Sequence, residues 1–205
     1  MIKKLSTANT RGTSQTECNH QGLFFSEITS RTVSVDFKAG DVSSDGGGVL
    51  LARLDRSYGF VQRFAACFTD HRDSELIEHT LVEWLRQRIY GLALGYEDLN
   101  DHDQLCRDPL LASLCGKADP LGQDRQREQD KGKALAGKST LNRRELTPAG
   151  AGPSSRYKKI VADPERLEDY FLDELVRRLG KETKRVVLDL DRTNVDLHGE
   201  QEGRF

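Results

Sequence analysis

The chain has 205 residues, of which 36% are hydrophobic and 31% charged, and its formal net charge is −2. This length allows one domain or two small ones, and the high charged fraction predicts a core surrounded by solvated segments. No stretch approaches the ~18 apolar residues of a membrane-spanning helix, and no signal peptide follows Met1. The four cysteines form no C-x-x-C pair, so we expect reduced thiols in a cytoplasmic protein without a membrane partner.

The small net charge hides an asymmetry along the chain. Residues 70–119 contain eleven acidic and five basic residues, whereas residues 125–159 contain ten basic and three acidic residues. A local basic block favours binding to a polyanion, and a solvated charged linker is the alternative interpretation.

The N-terminal third predicts few regular elements. Residues 1–30 are polar without a sustained period, which is typical of a mobile arm. Residues 32–37 alternate strictly between apolar and polar side chains and predict a half-buried strand. A short helix is predicted over residues 51–68, after a glycine-rich turn.

The clearest helical pattern follows residue 72. Asp73 or Ser74 is expected to cap this helix and Gly95 to end it. Apolar residues recur at helical spacing around Trp84, so we interpret this face as core and not as a binding stripe. His102, which lies between two aspartates, is predicted to be exposed.

Two further helices are marked by an aspartate followed by proline. The first begins at Asp108 and ends near residues 115–116, and the second begins at Asp163 and is closed by Gly180. Between them, residues 117–137 are charged and poor in large apolar side chains, and residues 147–155 have the composition of a linker. The apolar face of the second helix requires a cover, for which the segment 185–191 is the expected candidate.

The segment 185–191 predicts a strand that ends in carboxylates. Val186, Leu188 and Leu190 share one face of such a strand, and Asp189 and Asp191 share the other. These two carboxylates would lie about 6.6 Å apart along the strand and would repel each other when ionised. A Mg²⁺ ion beside them would remove that repulsion, because it prefers hard oxygen ligands.

Residues 132–140 match the phosphate-loop pattern G-x-x-x-x-G-K-[ST]. That motif requires a buried strand before its first glycine, but residues 123–131 are almost entirely polar. A phosphate-loop NTPase is therefore the least favoured interpretation of the chain.

Several motifs occur in a specific order between about residue 30 and residue 205. They occupy residues 43–47, 88–102, 108–110, 138–143, 188–193, 198–199 and 201–205. In this combination the chain resembles the N-terminal half of bacterial insertion-sequence transposases of the DDE class (DDE transposase group 1), in the thirteen-eighty family.

The resemblance implies an α+β fold. A mostly helical N-terminal DNA-binding region with a short β-hairpin would precede the first strand or strands of an incomplete ribonuclease-H-like core. The corresponding division is a mobile arm over 1–30, a hairpin and helical region over 31–116, a basic linker over 117–160, and the beginning of the catalytic core over 161–205.

The resemblance also implies DNA transposition by metal-dependent strand cleavage and transfer. Asp191 stands in the D-x-T setting of the first catalytic carboxylate, with Asp189 and Thr193 in supporting positions. Asp191 and Asp189 would bind Mg²⁺ or Mn²⁺, which the complete core would hold as a pair of ions. The later Asp and Glu of this class have no counterpart before Phe205, so we expect a truncated transposase that is inactive alone.

The alternative is a non-catalytic DNA-binding fragment that represses transposition. In either case the expected partners are double-stranded DNA (the terminal inverted repeats and the target), a second copy, or a full-length transposase, in the nucleoid. The residues expected to contact DNA are Arg125, Arg127, Lys138, Arg143, Arg144, Lys158 and Lys159.

Overall fold

The computed structural model describes residues 23–25, 33–35, 45–145, 147–180 and 182–187. Strands β1 (Leu23–Phe25) and β2 (Val33–Val35) form an antiparallel pair in which Phe24 is opposite Ser34. The strand predicted over 32–37 is thus confirmed in its centre. Its partner β1 lies in the segment for which the sequence predicted no regular element.

The helix predicted over 51–68 is two helices, α1 (Gly48–Tyr58) and α2 (Phe60–Ala65). Gly59 separates them with a φ of +63°, and its N–H donates to the carbonyl of Asp55. A residue with a side chain would be strained in this left-handed conformation, so glycine makes the sharp change of direction possible.

The helical segment after residue 72 also begins later than predicted. Asp73 caps a 3₁₀ turn (Ser74–Leu76), and helix α3 (Leu81–Ala93) starts only after Thr80. The Thr80 hydroxyl accepts from the Glu83 N–H while the Glu83 carboxylate accepts from the Thr80 N–H. This reciprocal cap satisfies two backbone donors and fixes the start of the helix.

Helices α4 (His102–Leu105) and α5 (Pro109–Cys115) follow a 3₁₀ turn at Leu99–Asp101. Asp108 caps α5, as the sequence predicted, and its carboxylate accepts from the Leu111 N–H at 2.8 Å. After α5 a long connection with a 3₁₀ turn at Glu128–Asp130 leads to α6 (Lys138–Glu145).

The main core lies between α1, α3 and α5. Its buried members include Val49, Ala52, Tyr90, Leu111, Leu114, Cys115 and Leu135. Trp84 is buried in an adjoining cluster with Ala136, Leu141 and Ile160, which confirms the prediction that it belongs to the core.

Two short strands, β3 (Phe68–Asp70) and β4 (Ile160–Ala162), form an antiparallel pair. This pairing brings the chain after α6 back beside the segment that precedes α3. Helix α7 (Pro164–Leu179) follows, with Asp163 as its cap and Gly180 at its end, as predicted. It packs on α2, where the Tyr170 hydroxyl donates to the Phe60 carbonyl at 3.2 Å.

The predicted strand over 185–191 is wrong in its described part. Residues 185–187 have no strand conformation and are exposed, and they leave Phe171 on α7 62% exposed. A strand needs a neighbour to pair its backbone groups, and residues 185–187 pair with no described strand. The described residues therefore form seven helices and two small two-stranded sheets, and they do not contain a ribonuclease-H-like core.

Within the described part of the chain, every helix is too short or too polar to cross a bilayer.

Candidate nucleic-acid interface

A cleft of about 820 Å³ lies between the start of α3, the N-terminal half of α6 and the connection that precedes α6. Its lining contains six basic residues and three acidic ones. The basic residues are Arg72, Arg107, Arg125, Arg127, Lys133 and Arg143, and the acidic residues are Glu78, Asp103 and Asp130. We call this cavity the basic cleft.

Buried hydrogen bonds fix one wall of the basic cleft to α3. The Gln87 side chain donates to the Ala136 carbonyl at 2.7 Å and accepts from the Ala136 N–H at 3.0 Å. The Leu135 N–H donates to the Cys106 carbonyl at 3.1 Å. These bonds hold residues 134–136 in the core and so determine where α6 begins, although the charged composition of 117–137 gives no sign of this burial.

His102 belongs to the same arrangement, and the prediction that it is exposed is wrong. It has no exposed surface, and its Nδ1 lies 3.1 Å from the Gln87 amide nitrogen. Gly91 leaves room for the ring, because a Cβ added there would lie 3.1 Å from His102 Cε1. The aspartates on either side suggested a surface residue, but the hydrogen bond to a distant glutamine compensates for its burial.

The connection before α6 also contains a compact turn. The Asp119 carboxylate accepts from the N–H groups of Leu121 and Asp124, at 3.1 and 3.0 Å. A Cβ at Gly122 would come within 2.6 Å of the Ala134 backbone nitrogen, and its φ is +64°. Gly122 therefore lets the two ends of the connection approach each other.

Charged groups lie beside the indole ring of Trp84, which lines the cleft. The Arg72 guanidinium lies over the Trp84 ring, 4.6 Å from its centroid, and makes a bidentate ion pair with Asp70. Burial acts to raise the pKa of Asp70, but the hydrogen bonds and charge of Arg72 outweigh it and lower this pKa. Arg72 also donates to the His79 carbonyl at 2.9 Å, so most of its donors are used within the protein.

His79 and Arg125 meet in the same region. Arg125 donates to His79 Nε2 at 2.8 Å and pairs with Glu78 at 3.0 Å. Burial, together with the positive charges of Lys117, Arg125 and Arg72, lowers the pKa of His79 to about 3. The imidazole is therefore neutral at physiological pH and accepts a hydrogen bond from the arginine.

Three other guanidinium groups differ from Arg72 and Arg125. Arg107, Arg127 and Arg143 are exposed and make no ion pair with another described residue. Lys133 is close to Asp130, with 3.6 Å between the ammonium and the carboxylate. Arginines in this state can offer their donors to phosphate oxygens, which they contact in a bidentate manner.

An aromatic residue lies among these arginines. The Tyr157 side chain is 55% exposed, and the guanidinium groups of Arg143 and Arg156 lie over its ring at 5.1 and 5.0 Å from the centroid. Exposed planar groups of this kind bind nucleobases by stacking.

The seven residues predicted to contact DNA therefore have different surroundings. Arg127 and Arg143 line the cleft and are exposed, whereas Arg125 is largely buried in its ion pair. Lys138 is paired with Asp103 at 3.3 Å and donates to Asn100 at 3.0 Å. Lys138 is not among the residues that line the cleft, and neither are Lys158 and Lys159, which are half-buried. The side chain of Arg144 lies outside the described part.

Arg107 was missed by sequence reasoning. It lies in the acidic segment 70–119, so local composition argued against it, and only the packing of α4 against the connection before α6 brings it to the cleft. Lys133 lies inside the basic block and could have been chosen on composition alone.

Residues 132–140, which match the phosphate-loop pattern, do not have the structure that this motif requires. The element directly before Gly132 is the 3₁₀ turn at Glu128–Asp130, not a strand, and α6 begins at Lys138 itself. The Lys138 N–H donates to the Asp103 carboxylate, and this bond lowers the pKa of Asp103. An aspartate therefore occupies the helix start where the motif would hold a phosphate.

The predicted catalytic residues cannot be placed in the same way. Asp189, Asp191 and Thr193 lie outside the described residues. Among the residues that are described, no three His, Cys, Asp or Glu side chains gather in an arrangement that could hold a metal ion. The described part of the chain thus contains no set of side chains that could bind the Mg²⁺ or Mn²⁺ expected from the sequence.

A concave surface with exposed arginines and an exposed tyrosine is typical of nucleic-acid-binding proteins. The family comparison agrees with this class, since residues 25–205 match the model described as "Transposase DDE domain group 1". The chain belongs to this family, which implies DNA transposition and, in general, the use of divalent metal ions. No curated protein and no solved structure is significantly similar to the chain.

Proposed function

We propose that the protein is a transposase of the DDE class that binds the backbone of DNA at its basic cleft. The observation that supports this most directly is the group of exposed guanidiniums at Arg107, Arg127 and Arg143, which have no ion-pair partner in the described structure. These like charges repel one another at the concave surface, and a bound polyanion relieves this electrostatic repulsion.

The predicted DNA contacts divide into two roles in this proposal. Arg127 and Arg143, joined by Arg107 and Lys133, contact phosphates directly. Arg125 shapes the cleft through Glu78 and His79, and Lys138 holds the start of α6 against Asp103. Lys158, Lys159 and Arg144 remain candidates for contacts with DNA that extends beyond the cleft.

Asp191 is the proposed catalytic carboxylate, with Asp189 and Thr193 in support. This assignment rests on the family and on the D-x-T sequence, and Asp191 and Asp189 are the proposed ligands of Mg²⁺ or Mn²⁺. The metal would supply Lewis-acid activation of a phosphodiester. The terminal repeats of a bacterial insertion element are the proposed DNA substrate.

DNA binding is tested by titrating a labelled 20-base-pair duplex with the 205-residue chain at several salt concentrations. Three or four phosphate contacts predict a slope of about −3 to −4 in a plot of log K against log salt. Binding that does not change with salt would contradict the proposed interface.

Cleavage is tested separately with a duplex that carries candidate element ends, in Mg²⁺ or Mn²⁺. Activity that disappears in Asp191→Asn, with duplex binding retained, supports the enzyme. Salt-dependent binding without cleavage supports the alternative expected from the sequence, a DNA-binding regulator of transposition.

A further inference from the structure

We propose that the basic cleft receives unpaired nucleotides of a DNA strand, while the backbone of the adjoining duplex lies against the exposed arginines of the cleft. This inference rests on the proposed function, because it presupposes that the surface around the cleft binds DNA. It adds a preference for DNA in which a duplex adjoins a single-stranded segment. Size, stacking surface and unsatisfied polar groups support it independently.

The size of the cleft excludes a duplex. Its volume of about 820 Å³ equals that of a sphere roughly 12 Å across. The major groove of B-DNA alone is about 12 Å wide, so a duplex with both its grooves and its backbones is wider than the cavity. A single strand has no such restriction, and cavities of this volume are typical of sites for small organic groups such as a nucleotide.

The lining offers a surface on which a base can stack. Tyr157 lines the cleft and is more than half exposed, and the planar guanidinium of Arg143, another lining residue, lies 5.1 Å from the centre of its ring. Aromatic rings and guanidinium planes are the groups on which proteins stack unpaired bases. Within a duplex the faces of the bases are covered by their neighbours, so this surface favours an unpaired base over the bases inside a duplex.

The cleft also contains polar atoms that lack partners. Trp84 Nε1, Arg125 Nε and Glu78 Oε1 are buried, belong to residues that line the cleft, and form no hydrogen bond with another described residue. Unsatisfied buried groups are rare in folded proteins and call for an explanation such as a ligand.

The donor and acceptor character of these three atoms favours a base over a phosphate as their ligand. The two N–H groups require acceptors, but the carboxylate oxygen of Glu78 requires a donor. A phosphodiester offers acceptors only, whereas the edge of a base that carries an N–H presents donors beside acceptors. A base that enters the cleft therefore offers partners of both kinds, and the exposed arginines hold its backbone.

The test compares two labelled probes on the 205-residue chain: a blunt 15-base-pair duplex, and the same duplex with a six-nucleotide single-stranded overhang. We expect the overhang to increase affinity at least about fivefold, the lower end of the gain for a stacked base. Tyr157→Ala should remove this increase and leave blunt-duplex binding unchanged. Tyr157→Phe should retain it, because the phenylalanine ring still stacks.

Tyr58→Ala is the matched control, since Tyr58 is also an exposed tyrosine but lies on α1 and does not line the cleft. It should leave both affinities unchanged. Trp84 is the only tryptophan and gives a second readout. The overhang probe should quench its fluorescence, and the blunt duplex should not.

Equal affinities for the two probes would overturn the inference while leaving the proposed function intact. An overhang preference that survives Tyr157→Ala, or a Trp84 signal that does not distinguish the probes, would also overturn it. Absence of binding to the blunt duplex at any salt concentration would instead contradict the proposed function.

Discussion

The helical core and the basic cleft use charged residues in opposite ways. In the core, Asp55 is fully buried and accepts from the Val61 N–H, Arg86 Nε and the Tyr90 hydroxyl, at 2.9, 2.8 and 3.0 Å. At the cleft, Arg127 and Arg143 are exposed and no described carboxylate compensates them. Buried charges with several partners hold α1, α2 and α3 together, whereas exposed charges without partners remain available for a ligand.

The difference is clearest between residues of the same type. Arg125 and Arg127 are two positions apart in the basic block, yet Arg125 is paired with Glu78 and His79 and Arg127 is not paired. Basic composition therefore identifies the segment that we propose contacts DNA, but the contacts of each side chain decide which residues are available to do so.

The largest effect should come from breaking the core network. Asp55→Ala leaves the Arg86 guanidinium and the Val61 N–H without their partner, which predicts a loss of about 3–5 kcal/mol in the free energy of unfolding. Urea unfolding followed by circular dichroism measures it. Glu168→Ala, on the exposed face of α7, is the control and should change stability by less than about 0.5 kcal/mol. A similar value for both variants would show that the network is not needed for the fold.

The second-largest loss of stability should come from breaking the hydrogen bonds between Gln87 on α3 and Ala136 in the cleft wall. Gln87→Leu leaves the buried N–H and carbonyl of Ala136 unsatisfied, at an expected cost of about 2–4 kcal/mol. The same change at Gln62, which is exposed on α2, should cost less than about 0.5 kcal/mol. If the two leucine variants unfold at the same urea concentration, the amide does not hold the wall.

The third effect depends on pH and comes from His79. Its pKa is about 3 in the folded protein but ordinarily about 6.5, so between these values the unfolded chain binds a proton that the folded protein does not. Stability should therefore fall as pH falls through this window, by up to ~1.4 kcal/mol per pH unit, and this contribution should be constant above pH 6.5. His79→Gln should show a weaker pH dependence between pH 5 and 6.5. An unchanged slope would mean that the imidazole is not held neutral.

Local signals were enough to predict several elements. Asp108 and Asp163 each precede a proline and cap a helix as expected, because both the carboxylate cap and the fixed φ of proline act within one turn. The spacing of apolar residues around Trp84 likewise predicted the burial of Trp84 and Leu85, but Leu92 in the same pattern is 46% exposed, and the buried Gln87 and Tyr90 lie outside it.

Features that depend on distant contacts could not be predicted in this way. His102 is buried because Gln87, fifteen positions away, lies beside its ring, and residues 134–136 are buried because Gln87 pairs with Ala136 across 49 positions. The pairing of Arg125 with Glu78 has the same origin. The strand prediction is wrong at residues 185–187 for a related reason, since these residues pair with no described strand.

The most direct test of the account is the salt dependence of duplex binding by two double variants. Arg127→Gln with Arg143→Gln removes two exposed guanidiniums from the cleft, whereas Arg63→Gln with Arg178→Gln removes two that pair with Glu174 on α7. We predict that the slope of log K against log salt decreases in magnitude by about 2 in the cleft variant and stays unchanged in the control. Equal slopes for the wild-type protein and the cleft variant would contradict the claim that this cleft contacts DNA.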